Sequence, residues 1–186
     1  MRVIAGSYKG RKLKAVPGKT ARPTTDKVKE AVFQILGPFF DQGVCLDLFA
    51  GSGALGVEAL SRGMKKGIFV DKHPQAIHTI YDNIRMLQLE DNAEIFRTDA
   101  SRALNSAAKR GLRFDLILLD PPYNTMNYTK LLNDVIKRDL LDDHGMIFCE
   151  HDANDHVAIH DDRYDILKTG LYGETTGVTI YQKKQE

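Results

Sequence analysis

Between positions 44 and 150 the chain alternates short apolar runs with longer stretches in which apolar residues recur every three or four positions. The runs predict buried strands at 44–49, 67–71, 93–98, 114–119 and 145–150. The stretches between them predict helices at 54–62, 74–88, 101–110 and 128–138. Pro74 suits a first helical turn, with Ile77, Ile80, Tyr81, Ile84 and Leu87 as the stripe behind it. In the last helix Leu131, Leu132, Val135 and Ile136 face inward. Gly63 and Gly111 are placed to end helices. Upstream, Val28, Ala31, Val32, Ile35 and Leu36 form one helical stripe, ended by Gly37-Pro38. Downstream, 164–168 and 177–182 read as two strands flanking a turn at 170–173. Strands alternating with helices imply a mainly parallel sheet covered on both faces. The first residues differ: 2–5 and 11–16 read as two strands around a glycine-bounded turn at 6–10.

Acids stand at the ends of several strands, where open α/β sheets bind their ligands. Asp47 sits inside the end of the first run, which closes on Phe49, and Ala50, Gly51, Ser52 and Gly53 form a turn into the next helix. Glycines there let backbone approach a ligand, with helix N–H groups facing it. The spacing also fits a dinucleotide fingerprint. Asp47 argues against that competitor, because a carboxylate just before the turn repels a pyrophosphate and attracts an ammonium. Asp71 follows 24 positions later, near the spacing of an acid that binds ribose hydroxyls. Asp99, with Ala100 beside it, either accepts from an adenine amino group or caps a helix, with Ser101 as rival cap.

The fourth run ends in Asp120-Pro121-Pro122-Tyr123. This tetrapeptide resembles the D/N-P-P-Y/F/W motif of methyltransferases that modify exocyclic amines of bases. An exocyclic amine is a poor nucleophile because its lone pair is delocalised into the ring. A carboxylate and a prolyl carbonyl can accept both N–H bonds and leave the lone pair facing a methyl donor. An aromatic face can stack on a base lifted from its helix. A plain strand-ending turn is the bland alternative.

The ordered set of Asp47-Leu-Phe-Ala-Gly-Ser-Gly53, Asp71, Asp99 and Asp120-Pro-Pro-Tyr123 resembles class I S-adenosylmethionine-dependent methyltransferases. Arg2 to Leu13 and Arg22-Pro23-Thr24 narrow the resemblance to the bacterial 16S rRNA guanine-N2 methyltransferase D family, over Arg2 to about Gln182. The resemblance implies a Rossmann-like α/β fold with a seven-stranded sheet, the last strand antiparallel, plus an N-terminal β-hairpin. It implies S-adenosyl-L-methionine as cofactor and 16S rRNA, or the small ribosomal subunit, as partner. The reaction implied is methylation of one guanine N2, guanine 966 in the family's usual name. Asp120, Pro121 and Tyr123 are the expected catalytic residues. Asp47, Phe49, Gly51, Gly53, Asp71, Asp99, Ala100, Arg22 and Thr24 are the expected cofactor-binding residues. For Thr24 a helix-cap role competes.

Charge adds a substrate surface to this picture. The net charge of the 186 residues is +1, yet the first 29 carry nine cations against Asp26 alone. Such asymmetry suggests a basic arm that meets a polyanion. Arg2, Lys9, Arg11, Lys12 and Lys14, with Pro122 and Tyr123, are the expected RNA-binding residues. The division expected is a basic hairpin and loop at 1–22 and a methyltransferase domain at 23–186. Cys45 and Cys149 lie in apolar runs and read as buried free thiols, which fits a cytoplasmic protein. No apolar run is long enough to span a bilayer, and the basic start lacks the apolar core of a secretory signal. His156 and His160 have helical metal-ligand spacing but lack the usual partners, so no metal is expected. A monomer is expected. The rival functions are a DNA adenine-N6 methyltransferase, a protein glutamine methyltransferase and a non-catalytic nucleic-acid-binding module.

Overall fold

A computed structural model of the chain describes residues 1–18, 25–122 and 126–185. Seven strands form one sheet, β1 (Val44–Asp47), β2 (Lys66–Asp71), β3 (Ala93–Arg97), β4 (Phe114–Leu119), β5 (Leu141–Asp152), β6 (Tyr164–Tyr172) and β7 (Thr176–Lys183). Their order across the sheet is β3-β2-β1-β4-β5-β7-β6. The first five are parallel to one another, and β7 runs antiparallel to both β5 and β6. Five α-helices accompany them among the described residues, α1 (Asp26–Leu36), α2 (Ala54–Ser61), α3 (Pro74–Met86), α4 (Ala100–Lys109) and α5 (Tyr128–Lys137). Strand order reverses between β1 and β4, and this switch point is where such sheets open a ligand crevice.

The sheet separates two apolar cores. One holds Phe33, Val57, Phe69, Ile80, Ile84, Leu116, Leu118 and Phe148 under α1, α2 and α3. The other holds Leu46, Ile68, Leu104, Ile117, Leu119, Leu132, Val135 and Cys149 under α4 and α5. Residues 46 and 68 on one side and 118 and 148 on the other follow the two-residue alternation of strands buried on both faces. Cys45 and Cys149 are free and fully buried, as the sequence predicts, and burial pushes both thiols up.

Several boundaries differ from the sequence expectation. β1 stops at Asp47 rather than at 49, because the following residues turn toward α2. β5 begins at Leu141 rather than 145, and its pairing with β4 shifts register between Phe114 and Leu116. Gly145 makes that irregularity possible, since a Cβ there would sit 2.7 Å from the Asp142 carbonyl oxygen. β6 continues through Gly170 to Tyr172, which moves the turn to 173–175. In α1 the buried face is Lys29, Val32, Phe33 and Leu36, a stripe rotated from the expected one. His156 and His160 lie in an irregular segment between β5 and β6, not on a helix.

Candidate active site

Every acid singled out at a strand end lies on the carboxyl edge of the parallel strands, and the switch point brings two of the motifs side by side. Asp47 pairs in register with Leu118, two residues before Asp120. The glycine turn after β1 and the Asp-Pro-Pro segment after β4 therefore leave the sheet from adjacent strands.

The glycine turn is built from backbone and two carboxylates. Gly51 and Gly53 have φ of +56° and +82°, a region costly for other residues. Nothing lies within 4 Å of the position a Cβ on Gly51 would take, so open space borders the turn. Gly53 caps α2, and Asp47, nine residues before Gly56 in sequence, braces the helix by accepting the Gly56 N–H at 2.9 Å. Asp47 is only 1% exposed, deeper than an acid expected to meet a ligand directly. Burial raises its pKa to about 7, against the Gly56 hydrogen bond, with the nearby Asp71 charge adding to the rise. Its first function in the free protein is thus to pin the turn. Phe49 is half-buried against the second core.

Asp71 ends β2 beside this turn. One carboxylate oxygen accepts Gly51 N–H and the other accepts His73 N–H, both at 2.9 Å. Each oxygen retains a further lone pair. Asp71 is therefore fixed in orientation with acceptor capacity left for a diol. Asp99 behaves differently. It caps α4 by accepting Arg102 N–H at 2.9 Å, and its other oxygen lies 3.4 Å from Arg102 Nε. The helix-cap alternative is thus realised, and Ser101 sits inside the helix behind half-buried Ala100. Thr25 is the cap of α1, accepting Val28 N–H at 3.3 Å.

At the end of β4, Asp120 is half-buried, Pro121 buried and Pro122 exposed. Arg22, Thr24 and Tyr123 lie outside the described residues.

The amino-terminal segment is less regular than two strands. A single antiparallel bridge joins Arg2 and Lys12, supported by hydrogen bonds from Val3 N–H to the Arg11 carbonyl and from Gly10 N–H to the Val3 carbonyl. The hairpin is a strap over α2 and α3 with Val3 and Leu13 in the first core. Glu58 of α2, wholly buried, accepts Ile4 and Ala5 N–H at 3.0 and 3.1 Å and pairs with Arg62 and Lys29 at 2.9 and 3.5 Å. Lys29 is thus structural and leaves the expected basic arm. Arg2 pairs with Asp26 at 3.2 Å, Lys14 with Asp82 at 2.9 Å, and Arg11 donates to the Met86 carbonyl at 3.2 Å. Lys9 and Lys12 are exposed and make no ion pair among the described residues.

Three polar residues were not read from the sequence as parts of these sites, and one of them, Glu150, was expected in a solvated acidic connection at 150–162 but is buried in β5. Glu58 could have been suspected as the lone carboxylate in a helix otherwise made of Ala, Leu, Gly, Val and Ser. Asn83 and Glu150 carry no such signal, because an Asn on an amphipathic helix and an acid at a strand end are both ordinary.

A parallel β3-β2-β1-β4-β5 sheet closed by an antiparallel strand, with a glycine turn after β1 and Asp-Pro-Pro after β4, defines the Rossmann-like fold of class I S-adenosylmethionine-dependent methyltransferases. The model of the family described as Conserved hypothetical protein 95 matches residues 1–182, and the chain belongs to that family. The Bacillus subtilis protein YlbH, named as a candidate rRNA methyltransferase, is 50% identical over 99% of this chain and 100% of its own. The ribosomal RNA small subunit methyltransferase D of Haemophilus influenzae is 32% identical over 100% of this chain and 93% of its own. The Escherichia coli protein yhhF, a candidate methyltransferase of known structure, superimposes with a TM-score of 0.84 at 30% identity, covering 100% of this chain and 99% of that one. The similarity reaches across the N-terminal strap as well as the sheet, so strap and sheet belong to one shared architecture.

Proposed function

We propose that this chain is an S-adenosylmethionine-dependent rRNA methyltransferase acting on guanine N2 in the small ribosomal subunit. The observation that carries the reading is the adjacency of the Gly51–Gly53 turn and Asp120-Pro121 on neighbouring strands. The small-subunit methyltransferase names of relatives that align along the whole chain support the substrate.

The residues present fit the cofactor on two observations. Open space borders Gly51, and Asp71 is held with acceptor capacity facing the same turn. Asp71 would hold the ribose hydroxyls, and the backbone of Gly51 and Gly53 would lie against the amino-acid portion. When bound, the cofactor supplies an electrophilic methyl on a sulfonium, so that an N–C bond forms as the C–S bond breaks and sulfur leaves as a neutral thioether. Asp120 and the Pro121 carbonyl accept the two N–H bonds of the target amine and keep its lone pair in line. Positioning of this kind can supply several kcal/mol of a barrier. The amine proton, acidic once nitrogen has become cationic, passes to Asp120 or to water. Tyr123 stacks on the flipped base. Lys9 and Lys12, exposed on the strap, meet phosphate.

Mass spectrometry of small-subunit rRNA from cells with and without the gene tests the reading. Loss of one N2-methylguanine, restored by the purified protein and S-adenosylmethionine, is the expected result. Loss of a methyladenine, or no change in rRNA, overturns it.

A further inference from the structure

The strand next to the Asp-Pro-Pro segment ends in a second acid. Leu119 of β4 pairs in register with Cys149 of β5, so Asp120 and Glu150 follow as neighbours on adjacent parallel strands. Leu119 and Cys149 both point into the core under α4 and α5, whereas Leu118 and Phe148 point into the core under α1 to α3. Alternation within β5 therefore turns Glu150 toward the face of the sheet that carries the glycine turn and α2, and Asp120 leaves β4 beside it. Val178, paired with Glu150 on β7, lies on that face too. Glu150 is 5% exposed. Both acids stand close enough to Tyr128 to push its hydroxyl's pKa up further after burial has raised it.

The backbone that presents Glu150 is held on the opposite face. The Tyr128 hydroxyl donates to the Glu150 carbonyl oxygen. The next residue, His151, hydrogen-bonds the Asp152 carbonyl through Nδ1 at 2.8 Å and Thr179 Oγ1 through Nε2 at 2.9 Å. Its ring stands edge-on to Tyr128, with centroids 5.9 Å apart. Gly177 leaves room for that ring, since a Cβ there would approach it to 2.5 Å. A backbone so supported presents its side chain from a fixed point.

Base chemistry decides what a second carboxylate can read. Adenine and cytosine each carry a ring-nitrogen acceptor beside the exocyclic amine on the Watson–Crick edge. Guanine alone carries a donor there, N1–H next to the N2 amine. A carboxylate facing that position accepts from guanine and opposes the lone pair of adenine or cytosine. We propose that Glu150 is a specificity-determining residue, accepting the N1–H of the flipped guanine while Asp120 accepts an N2–H. This rests on the function proposed above, and it adds the group that separates guanine from adenine where the Asp-Pro-Pro chemistry is common to both. Specificity then comes from attraction to one base and from a carboxylate opposed to the ring-nitrogen lone pair of the others.

The test uses small-subunit rRNA carrying either guanine or 2-aminopurine at the methylated position. 2-Aminopurine keeps the amine but presents an acceptor at N1. The full-length wild-type protein should favour guanine in kcat/KM by about 10- to 100-fold, the range for a hydrogen bond to a charged group. Glu150→Gln, whose amide can donate to N1, should bring the two substrates to within about threefold of each other. A protein that merely loses packing slows on both substrates and keeps its ratio. Equal wild-type kcat/KM for the two bases overturns the proposal whatever the variant does, and so does a Glu150→Gln variant with an undiminished ratio. Failure of the wild type to methylate guanine at all instead overturns the proposed function on which this inference stands.

Discussion

Lys14 and Asn83 exchange a closed pair of hydrogen bonds, Lys14 N–H to Asn83 Oδ1 at 2.8 Å and Asn83 Nδ2 to the Lys14 carbonyl at 3.1 Å. The same Nδ2 donates to the Ser52 carbonyl at 2.9 Å, and Asn83 is wholly buried. One α3 side chain thus joins the strap to the glycine turn. Asn83→Ala strands the Lys14 N–H and two carbonyls, at a cost of about 1–3 kcal/mol. Urea denaturation should register that loss. Trypsin should also cut the variant faster after Lys9, Arg11 or Lys12, and equal cutting would show that the strap is held elsewhere.

Glu58 ties the strap to α2 with more at stake. Two backbone N–H groups, Arg62 and Lys29 converge on a carboxylate with no exposure. Burial holds Lys29 below its ordinary pKa even with Glu58 beside it. Removing one member of such a group leaves uncompensated charge, and the usual cost is about 3–5 kcal/mol. Glu58→Gln should therefore lower the denaturation midpoint strongly, and adding Lys29→Met should recover part of the loss. A Gln variant as stable as the wild type would contradict this account.

Asp47 gives stability a pH dependence. Its pKa is near 3.8 when exposed and about 7 when folded, so the folded state binds the proton more tightly. Stability from this group is then greatest below the unfolded value and declines as pH rises through the folded one. Asp47→Asn keeps an oxygen for the Gly56 N–H and cannot ionise. The variant should gain on the wild type between about pH 4 and 7, by an amount on the order of a few kcal/mol. Thermal melts of the cofactor-free proteins across that range provide the check, and parallel curves would refute it.

The α/β alternation was legible because strands buried on both faces are continuous apolar runs, and all five parallel strands and their helices appear near the expected positions. The antiparallel region was less so. β6 has a mostly exposed face pattern, and its extension through Gly170 is set by pairing with β7, which no local periodicity announces. Near the glycine turn, the place of Asp71 was readable because an acid at the end of β2 is positioned by local chain geometry. Asp99 was ambiguous from sequence because a cap and a ligand acceptor use the same residue type, and the structure shows it capping α4. The charge count overstated the basic arm. Lys29 looks like any other lysine until the fold places it against Glu58, 29 positions away in sequence.

Asp71 and Asp120 should fail in different ways. Asp71→Ala removes a fixed acceptor beside the glycine turn and should weaken S-adenosylmethionine binding by about 1–3 kcal/mol. Asp120→Ala should leave that affinity near the wild-type value while nearly abolishing methyl transfer, because Asp120 is assigned to the amine. Calorimetry with the cofactor and a methyl-incorporation assay separate the two. Equal losses of binding and turnover in Asp120→Ala would remove it from its assigned position.

Lys9 and Lys12 should set the salt dependence of RNA binding. Arg2, Arg11 and Lys14 are each engaged with Asp26, the Met86 carbonyl or Asp82, which leaves these two lysines exposed and without an ion pair among the described residues. A phosphate contact steepens the plot of log affinity against log salt by roughly 0.7 for single strands or 0.9 for duplex. Replacing both lysines with Gln should flatten that slope by about 1.4–1.8 and weaken binding at low salt. Stability and cofactor affinity should hold, because neither side chain is packed in the strap. Filter binding to small-subunit rRNA across a salt series measures the slope. An unchanged slope would place the phosphate contacts on another surface and leave the strap as a structural clamp over α2 and α3.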